Sequence, residues 1–438
     1  MKIRSNDLMR SIFTIKLDRM YLTCFALFLI VYCCMSLAFY KFRFFLLLFY
    51  AFIGILTGVY YLSYKKMYKD SFNIIVTVFL FIYLFWFSLA VYYNNEFVYI
   101  FQDSVGFLFY LAYPPLVFVL IRFASISFYD NLICYIGLAV CVLHVFVYGL
   151  FYFIMGSGDL TYDNLILFNL MLLNSGFTGR LGASSGLLRI DLGLGQLLLI
   201  PLAISVANII KAKNISNSKY QFCLVLVIIL GAILDGHRSL LIAMALALVL
   251  QFIFSIKFRR ITLYKFIKLA FIITLAITVL FSIVSFTGIY DFSLFYDRMS
   301  TLFVLDYDNE ARLSPISALL KKIAERPLIG SGFGSYAEVL RHDERPFMYE
   351  VEYLAIVMKL GIIGAVLYVG SYVVVLIKGY NSLRNNFNRA VPYVSAGAAY
   401  LFYMGTNGGF AMSLFSTLFH VMIMLGITNS FKSQYKIK

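Results

Sequence analysis

Apolar runs of roughly twenty residues, parted by short polar or basic intervals, recur along the chain and set its plan. Read as crossings, they fall at about 21–40, 43–64, 72–93, 103–121, 131–155 and 187–209, then at about 220–234, 239–256, 266–287, 350–377, 390–406 and 410–429. A run of about 20 apolar residues spans the hydrocarbon of a bilayer as a helix. No open backbone form suits such a run, because lipid offers no partner to free N–H and C=O groups. The pattern predicts an all-α polytopic membrane protein of about 12 transmembrane helices, with residues 1–438 forming a single domain.

Two intervals exceed ordinary turns. Residues 156–186 are rich in Gly, Ser and Asn around an apolar middle, which predicts an interfacial helix. Residues 288–349 form the longest polar interval and run straight into the tenth apolar segment. Within it an amphipathic helix is expected to end at Pro327, with Leu313, Ile316, Leu319, Leu320 and Ile323 at helical spacing. No tandem repeat or heptad pattern interrupts the plan.

Composition excludes a soluble fold: 62% of residues are hydrophobic, 13% are charged, and the mean hydropathy is +0.88, against about 25% charged residues in soluble domains. The formal charge of +15 does not indicate nucleic acid, because Lys and Arg concentrate in alternate intervals. These hold Lys65, Lys66 and Lys69; Arg122; Lys211, Lys213 and Lys219; Lys257, Arg259, Arg260, Lys265 and Lys268; Lys378, Arg384 and Arg389; and Lys432, Lys436 and Lys438. Such alternation marks cytoplasmic loops, the short turn with Lys41 and Arg43 being the exception. Both termini are therefore expected inside, and 156–186 and 288–349 outside. The first apolar run is long enough to remain as a span, so a cleaved signal is not expected. All six cysteines sit in apolar runs without CxxC pairs or His neighbours, which argues against disulfides and metal ligands.

Ionisable groups near membrane depth need a partner or a task. Arg189 and Asp191 open the sixth segment, as a structural ion pair or as a cation lining an outward cleft. Asp235, His237 and Arg238 crowd the turn between the seventh and eighth segments, and Ser239 is placed to cap the next helix. Arg238 reads as functional, or as a snorkelling anchor, and His237 as structural. Arg312, Arg326, Arg341, His342, Arg345, Glu350 and Glu352 gather in or just after the long outside interval. On a helix Glu350 and Glu352 point about 200° apart, whereas Glu350 and Tyr353 share a face. One carboxylate then faces a cleft and the other its rim, unless the helix begins after Glu350. The Gly330–Gly334 turn lacks the Lys-Ser/Thr and the preceding strand of a P-loop, so nucleotide binding there is rejected. Lys359, about two turns into the tenth segment, is expected to pair with a carboxylate or to face the cleft.

Together these pieces resemble the O-antigen polymerase and ligase superfamily. The matching parts are GHRSLL opening a span, R-x(14)-P-L-x-G-x-G-x-G-x-Y from Arg312 to Tyr336, and YLxxxxxxGIIG from Tyr353 to Gly364. They cover roughly the last half of the chain; the first half matches in hydropathy and topology. The resemblance implies a GT-C-like glycosyltransferase of the bacterial inner membrane, acting on undecaprenyl-diphosphate-linked oligosaccharides at the periplasmic face. It implies no cofactor and no metal, and a chain-length regulator and a flippase as partners. Carried over by position, Arg238 and Arg312 are expected to hold the pyrophosphate, with Arg189 as a further cation.

Ligases of this superfamily usually carry a His-Asn pair eleven residues before the Gly of their GIIG-like segment. Counted back from Gly361, that position is Glu350, followed by Val351, which favours a Wzy-type polymerase. Displacing a sugar from a diphosphate requires cations on the leaving group, which the guanidinium fork supplies. The acceptor hydroxyl requires a general base within reach. Glu350 or Glu352 at a partly desolvated boundary suits that role, with Arg312 as catalytic cation and Arg180, Arg341, His342 and Tyr353 as further candidates. The alternative enzyme is a ligase passing glycan to lipid A-core. The alternative from another class, a flippase or transporter, places charges at the bilayer midplane between paired interrupted helices.

Overall fold

The computed structural model describes residues 72–114, 116–117, 125–155, 162–174, 180–184, 187–192, 194–212, 218–260, 307–340, 345–349, 351–406 and 414–431, with isolated helical positions between 267 and 282. In chain order these form α1 (Asn73–Tyr92), α2 (Phe97–Ser104), a 3-10 segment (Val105–Ala112), α3 (Ile126–Met155), α4 (Tyr162–Asn174), β1 (Arg180–Ser184) and β2 (Leu187–Asp191). A second 3-10 segment (Gly195–Leu198) leads into α5 (Leu199–Lys211), α6 (Lys219–Asp235), α7 (Arg238–Lys257), α8 (Tyr307–Glu325), α9 (Glu352–Thr406) and α10 (Leu414–Ser430). The protein is a helical, multi-pass membrane protein. Among the described residues, four helices are long and apolar enough to cross a bilayer: α1, α3, α7 and α9. Their apolar residues go all the way round. Phe79, Ile82 and Trp86 of α1 are buried while Ile74, Phe81 and Leu84 stay exposed, the pattern of a helix with lipid on its outer face.

Most expected crossings in the described part correspond to helices, although that at 103–121 starts as the end of α2 and continues as a 3-10 segment. Those at 21–40 and 43–64 lie outside the described residues, as does most of 266–287. The sixth segment differs. Leu187–Asp191 is a strand paired antiparallel with Arg180–Ser184, and helix begins only beyond Gly195. The hairpin is the one departure from all-α among the described residues, and its alternation explains it. Leu181, Leu188 and Ile190 are buried on one face, and the register sets positions 180, 182, 189 and 191 on the other. The apolar middle of 156–186 forms α4 as expected. Asn169 ties that helix to the hairpin by donating to the Leu181 carbonyl at 2.7 Å and accepting the Leu181 N–H at 2.8 Å.

The long helix α9 is interrupted twice, at Gly361 (φ 64°, ψ 179°) and at Asn386 (φ −130°, ψ 42°), giving segments 352–360, 362–385 and 387–406. The first break has a visible cause. In an unbroken helix the Ile362 and Ile363 N–H groups donate to the Met358 and Lys359 carbonyls. Here Ile362 donates to Pro327 O at 2.9 Å and Ile363 to Leu328 O at 3.1 Å, while Met358 O and Lys359 O accept from Ser331 and Gly332, each at 2.9 Å. The Pro327–Gly332 loop has been inserted into the helix ladder, and every exchanged group is satisfied. Gly330, Gly332 and Gly334 all have positive φ, so that the loop can lie flat against α9, α1 and α2; a Cβ on Gly332 would come within 2.6 Å of the Ala90 backbone. From the far side, Trp86 Nε1 donates to Ile329 O at 2.7 Å, and the Asn95 amide donates to Ser331 O and Phe333 O. The tenth apolar segment is therefore helical from Glu352 but broken at Gly361.

Helix lengths define two ends of the bundle. Lys257, at the end of α7, donates to the Tyr380 hydroxyl at 2.6 Å, and Phe258 packs on Phe387, so α7 and segment 362–385 run together toward the Asn386 break. The 20 residues of α7 carry the chain about 28 Å from Lys257 back to Arg238. Segment 387–406 returns to that same end, where Leu401 O accepts the Tyr353 hydroxyl at 2.6 Å.

Candidate active site

The end of the bundle that carries Arg238 also carries the start of α9, the inserted loop and α8. Helix α8 docks on segment 352–360 through a small core of Leu319, Tyr349, Ala355 and Met358. Its apolar stripe is as expected at Leu319, which is buried, while Leu320 is half exposed. At its end Arg326 stacks its guanidinium over Tyr93, 3.5 Å from the ring centroid. The hairpin reaches this end too, since β2 packs on α6 and Gly195 abuts Asp235.

Beside Arg238 lies a buried cluster. Gly236, in the left-handed region at φ 70°, closes α6, and His237 in extended conformation precedes α7. Arg238 is thus the first residue of α7, and Ser239 falls inside the first turn instead of capping it. Asp235 is fully buried, with His237 Nδ1 donating to its Oδ2 at 2.7 Å and His144 Nε2 lying 3.2 Å from Oδ1. His144 Nδ1 meets the Val140 carbonyl at 2.8 Å. A carbonyl accepts only, so Nδ1 carries hydrogen. The His144–Asp235 contact then needs one more proton, on Nε2 or on the carboxyl. His237 is held by Asp235; His144, in the middle of α3, was not a sequence candidate. Replacing Asp235 by Asn leaves two buried imidazoles poorly matched, at an expected cost of about 1–3 kcal/mol, read as a lower thermal unfolding midpoint in detergent.

The carboxylate candidates separate. Helix α9 begins at Glu352, so Glu350 precedes the helix and the opposite-face argument does not apply to the pair; Glu350 itself lies outside the described residues. Glu352 is buried at the first turn, where the positive end of the helix favours a carboxylate. Tyr353 is partly exposed. Arg312 lies within α8, and Arg180 and Arg189 lie on the hairpin at strand positions that share one face. Arg341 and His342 lie outside the described residues. The GSGFG turn is no phosphate cradle: the Ser331, Gly332 and Gly334 amides donate to Met358 O, Lys359 O and the Asp103 carboxylate.

Lys359 has a buried carboxylate partner. Its Nζ donates to Asp103 Oδ1 at 2.7 Å, with both side chains almost wholly buried, and Asp103 Oδ2 accepts the Gly334 N–H at 2.8 Å. Asp103 was not a sequence candidate; a lone carboxylate opening an apolar run was the signal. Among the described residues no group of His, Cys, Asp and Glu has a metal-binding arrangement, and Cys134, Cys141 and Cys223 are free.

A comparison with curated proteins gives no match. A family model described as O-antigen ligase matches residues 222–369, about a third of the chain, from α6 through the Asp235–Arg238 turn, α8 and the inserted loop into segment 362–385. Members of that family are enzymes acting on lipid-linked glycans. Over this segment the chain is similar to the O-antigen ligase family.

Proposed function

We propose that the protein is a Wzy-type polysaccharide polymerase, joining undecaprenyl-diphosphate-linked oligosaccharide repeat units at the periplasmic face of a bacterial inner membrane. What supports this reading is that the matched segment contains Arg238, the Arg312-bearing helix α8 and the start of α9, with α8 packed on segment 352–360. In this reading the chain has about 12 crossings in a GT-C-like arrangement, both termini in the cytoplasm and the 288–349 loop outside. Arg238, Arg312 and Arg189 hold the pyrophosphate of the donor, with Arg180 and Arg341 near it. Glu352 or Glu350 takes the proton of the acceptor hydroxyl, with His342 and Tyr353 at the rim. The acceptor oxygen bonds the anomeric carbon, the bond from that carbon to the diphosphate oxygen breaks, and undecaprenyl diphosphate leaves carrying the electron pair. A chain-length regulator and a flippase are the partners that the resemblance implies.

The test is purified protein supplied with lipid-linked repeat units, with and without lipid A-core acceptor. A ladder of lengthened products from repeat units alone is expected. Arg238→Ala should lower its rate about 100-fold, the usual cost of one charge-stabilising donor, with an unchanged elution profile on size-exclusion chromatography. Transfer only when lipid A-core is present would instead establish the ligase, the second reading, which the description of the matching family favours. Absence of product in both arms sinks both readings.

A further inference from the structure

The opposite end of the bundle holds a second charged site. A cavity of about 640 Å³ opens where α3, α5, the end of α7 and the Asn386 break of α9 meet, and Lys211, Arg260, Arg389, Asn208, Asn386 and Asp130 line it. It lies about 28 Å of helix rise from Arg238, so it is no part of the site above. Three cations face one carboxylate, and that carboxylate already accepts the Tyr393 hydroxyl. Among the described residues no salt bridge reaches Lys211, Arg260 or Arg389. Arg260 is steadied by the Phe387 ring, 5.6 Å from its centroid, rather than by an acid. Independently, the Asn386 side-chain Nδ2, buried at the break in α9, lacks an acceptor. A buried donor without an acceptor, and three cations with only the Asp130 carboxylate between them, have a common requirement around one cavity: an anion with several acceptor oxygens.

We propose that this pocket binds a phosphate group, presented by an anionic lipid headgroup or by free phosphate. The Lys and Arg pattern assigns this end to the cytoplasm, where the leaflet is anionic and basic pockets between helices take phospholipid headgroups. Positive-inside placement alone accounts for cations on this face. It does not account for their convergence with a buried amide donor on one cavity.

The protein is reconstituted in nanodiscs of phosphatidylcholine with a minority of phosphatidylglycerol, then extracted, and the retained lipid is counted by native mass spectrometry. In a second arm, inorganic phosphate is titrated into detergent-solubilised protein and unfolding is followed. Wild type should retain phosphatidylglycerol over phosphatidylcholine. Lys211→Gln/Arg389→Gln should reduce that preference about thirty-fold, at about a five- to sixfold loss per cation. Arg384→Gln, an exposed cation on the same face outside the cavity, should leave it unchanged. Stabilisation by phosphate without a lipid preference, lost in the double variant, assigns the pocket to free phosphate. No preference and no stabilisation in wild type overturns the proposal. So does a double variant that behaves as wild type.

Discussion

Gly361→Ala is expected to destroy the folded protein at ordinary growth temperature. The residue sits at φ 64° and ψ 179°, a region open almost only to glycine, where another residue is strained by about 1–3 kcal/mol. Space adds to this, because a Cβ there would lie 2.2 Å from Leu328 O and 2.5 Å from the Gly330 nitrogen, both backbone atoms of the inserted loop. Neither can retreat without giving up the four exchanged hydrogen bonds that splice the loop into α9, each worth about 0.5–1.5 kcal/mol net. The combined cost is on the order of 4 kcal/mol or more, a large part of the 5–15 kcal/mol of a typical domain. Gly370, in the segment just beyond, has nothing within 4 Å of an added Cβ. Gly370→Ala is therefore expected to be neutral or to stabilise by about 0.5–1 kcal/mol. Thermal unfolding and size-exclusion profiles of both variants in one detergent make the comparison. Equal behaviour of the two would show that the loop is not spliced into the helix.

That splice also shows how far a sequence carries. The helices were legible because lipid removes alternatives: a long apolar run has one backbone solution, and α1, α3, α7 and α10 lie where the runs lie. The amphipathic helix before Pro327 was legible for the same local reason. What lay beyond reach is non-local. The motif from Pro327 to Tyr336 was visible as glycine-rich, and nucleotide binding was excluded by the missing Lys-Ser/Thr and preceding strand of a P-loop. That its amides complete a helix over twenty residues downstream depends on a loop meeting a gap in another element. The hairpin at 180–191 was hidden because LLRID can begin a membrane helix as readily as a strand, and only the partner strand decides. Arg238 was legible as a cation at a turn, whereas the His144–Asp235–His237 cluster joins the middle of one helix to the end of another. The convergence of Lys211, Arg260 and Arg389 was equally hidden, for each was explained singly as a topology signal.

The ion pair of Asp103 and Lys359 yields the second large effect. Two buried charges are stable together because each answers the other, and the carboxylate also holds the Gly334 N–H. Lys359 lies near the Phe347 ring as well, 5.4 Å from its centroid. Lys359→Met leaves an uncompensated carboxylate beside the spliced loop, and Asp103→Asn leaves an ammonium with only an aromatic face. Each single change is expected to cost about 3–5 kcal/mol, the penalty for stranding a buried charge. The double variant Asp103→Asn/Lys359→Met strands neither, and Asn still accepts from Gly334. Its loss should fall short of the sum of the singles by at least about 2 kcal/mol. Stability and transfer activity read together also separate the two roles open to Lys359 from the sequence. If its task is to hold segment 352–360 to α2, the double variant regains activity along with stability. If the ammonium instead touches the glycan donor, the double variant folds and stays inactive, and the pair is then part of the chemistry.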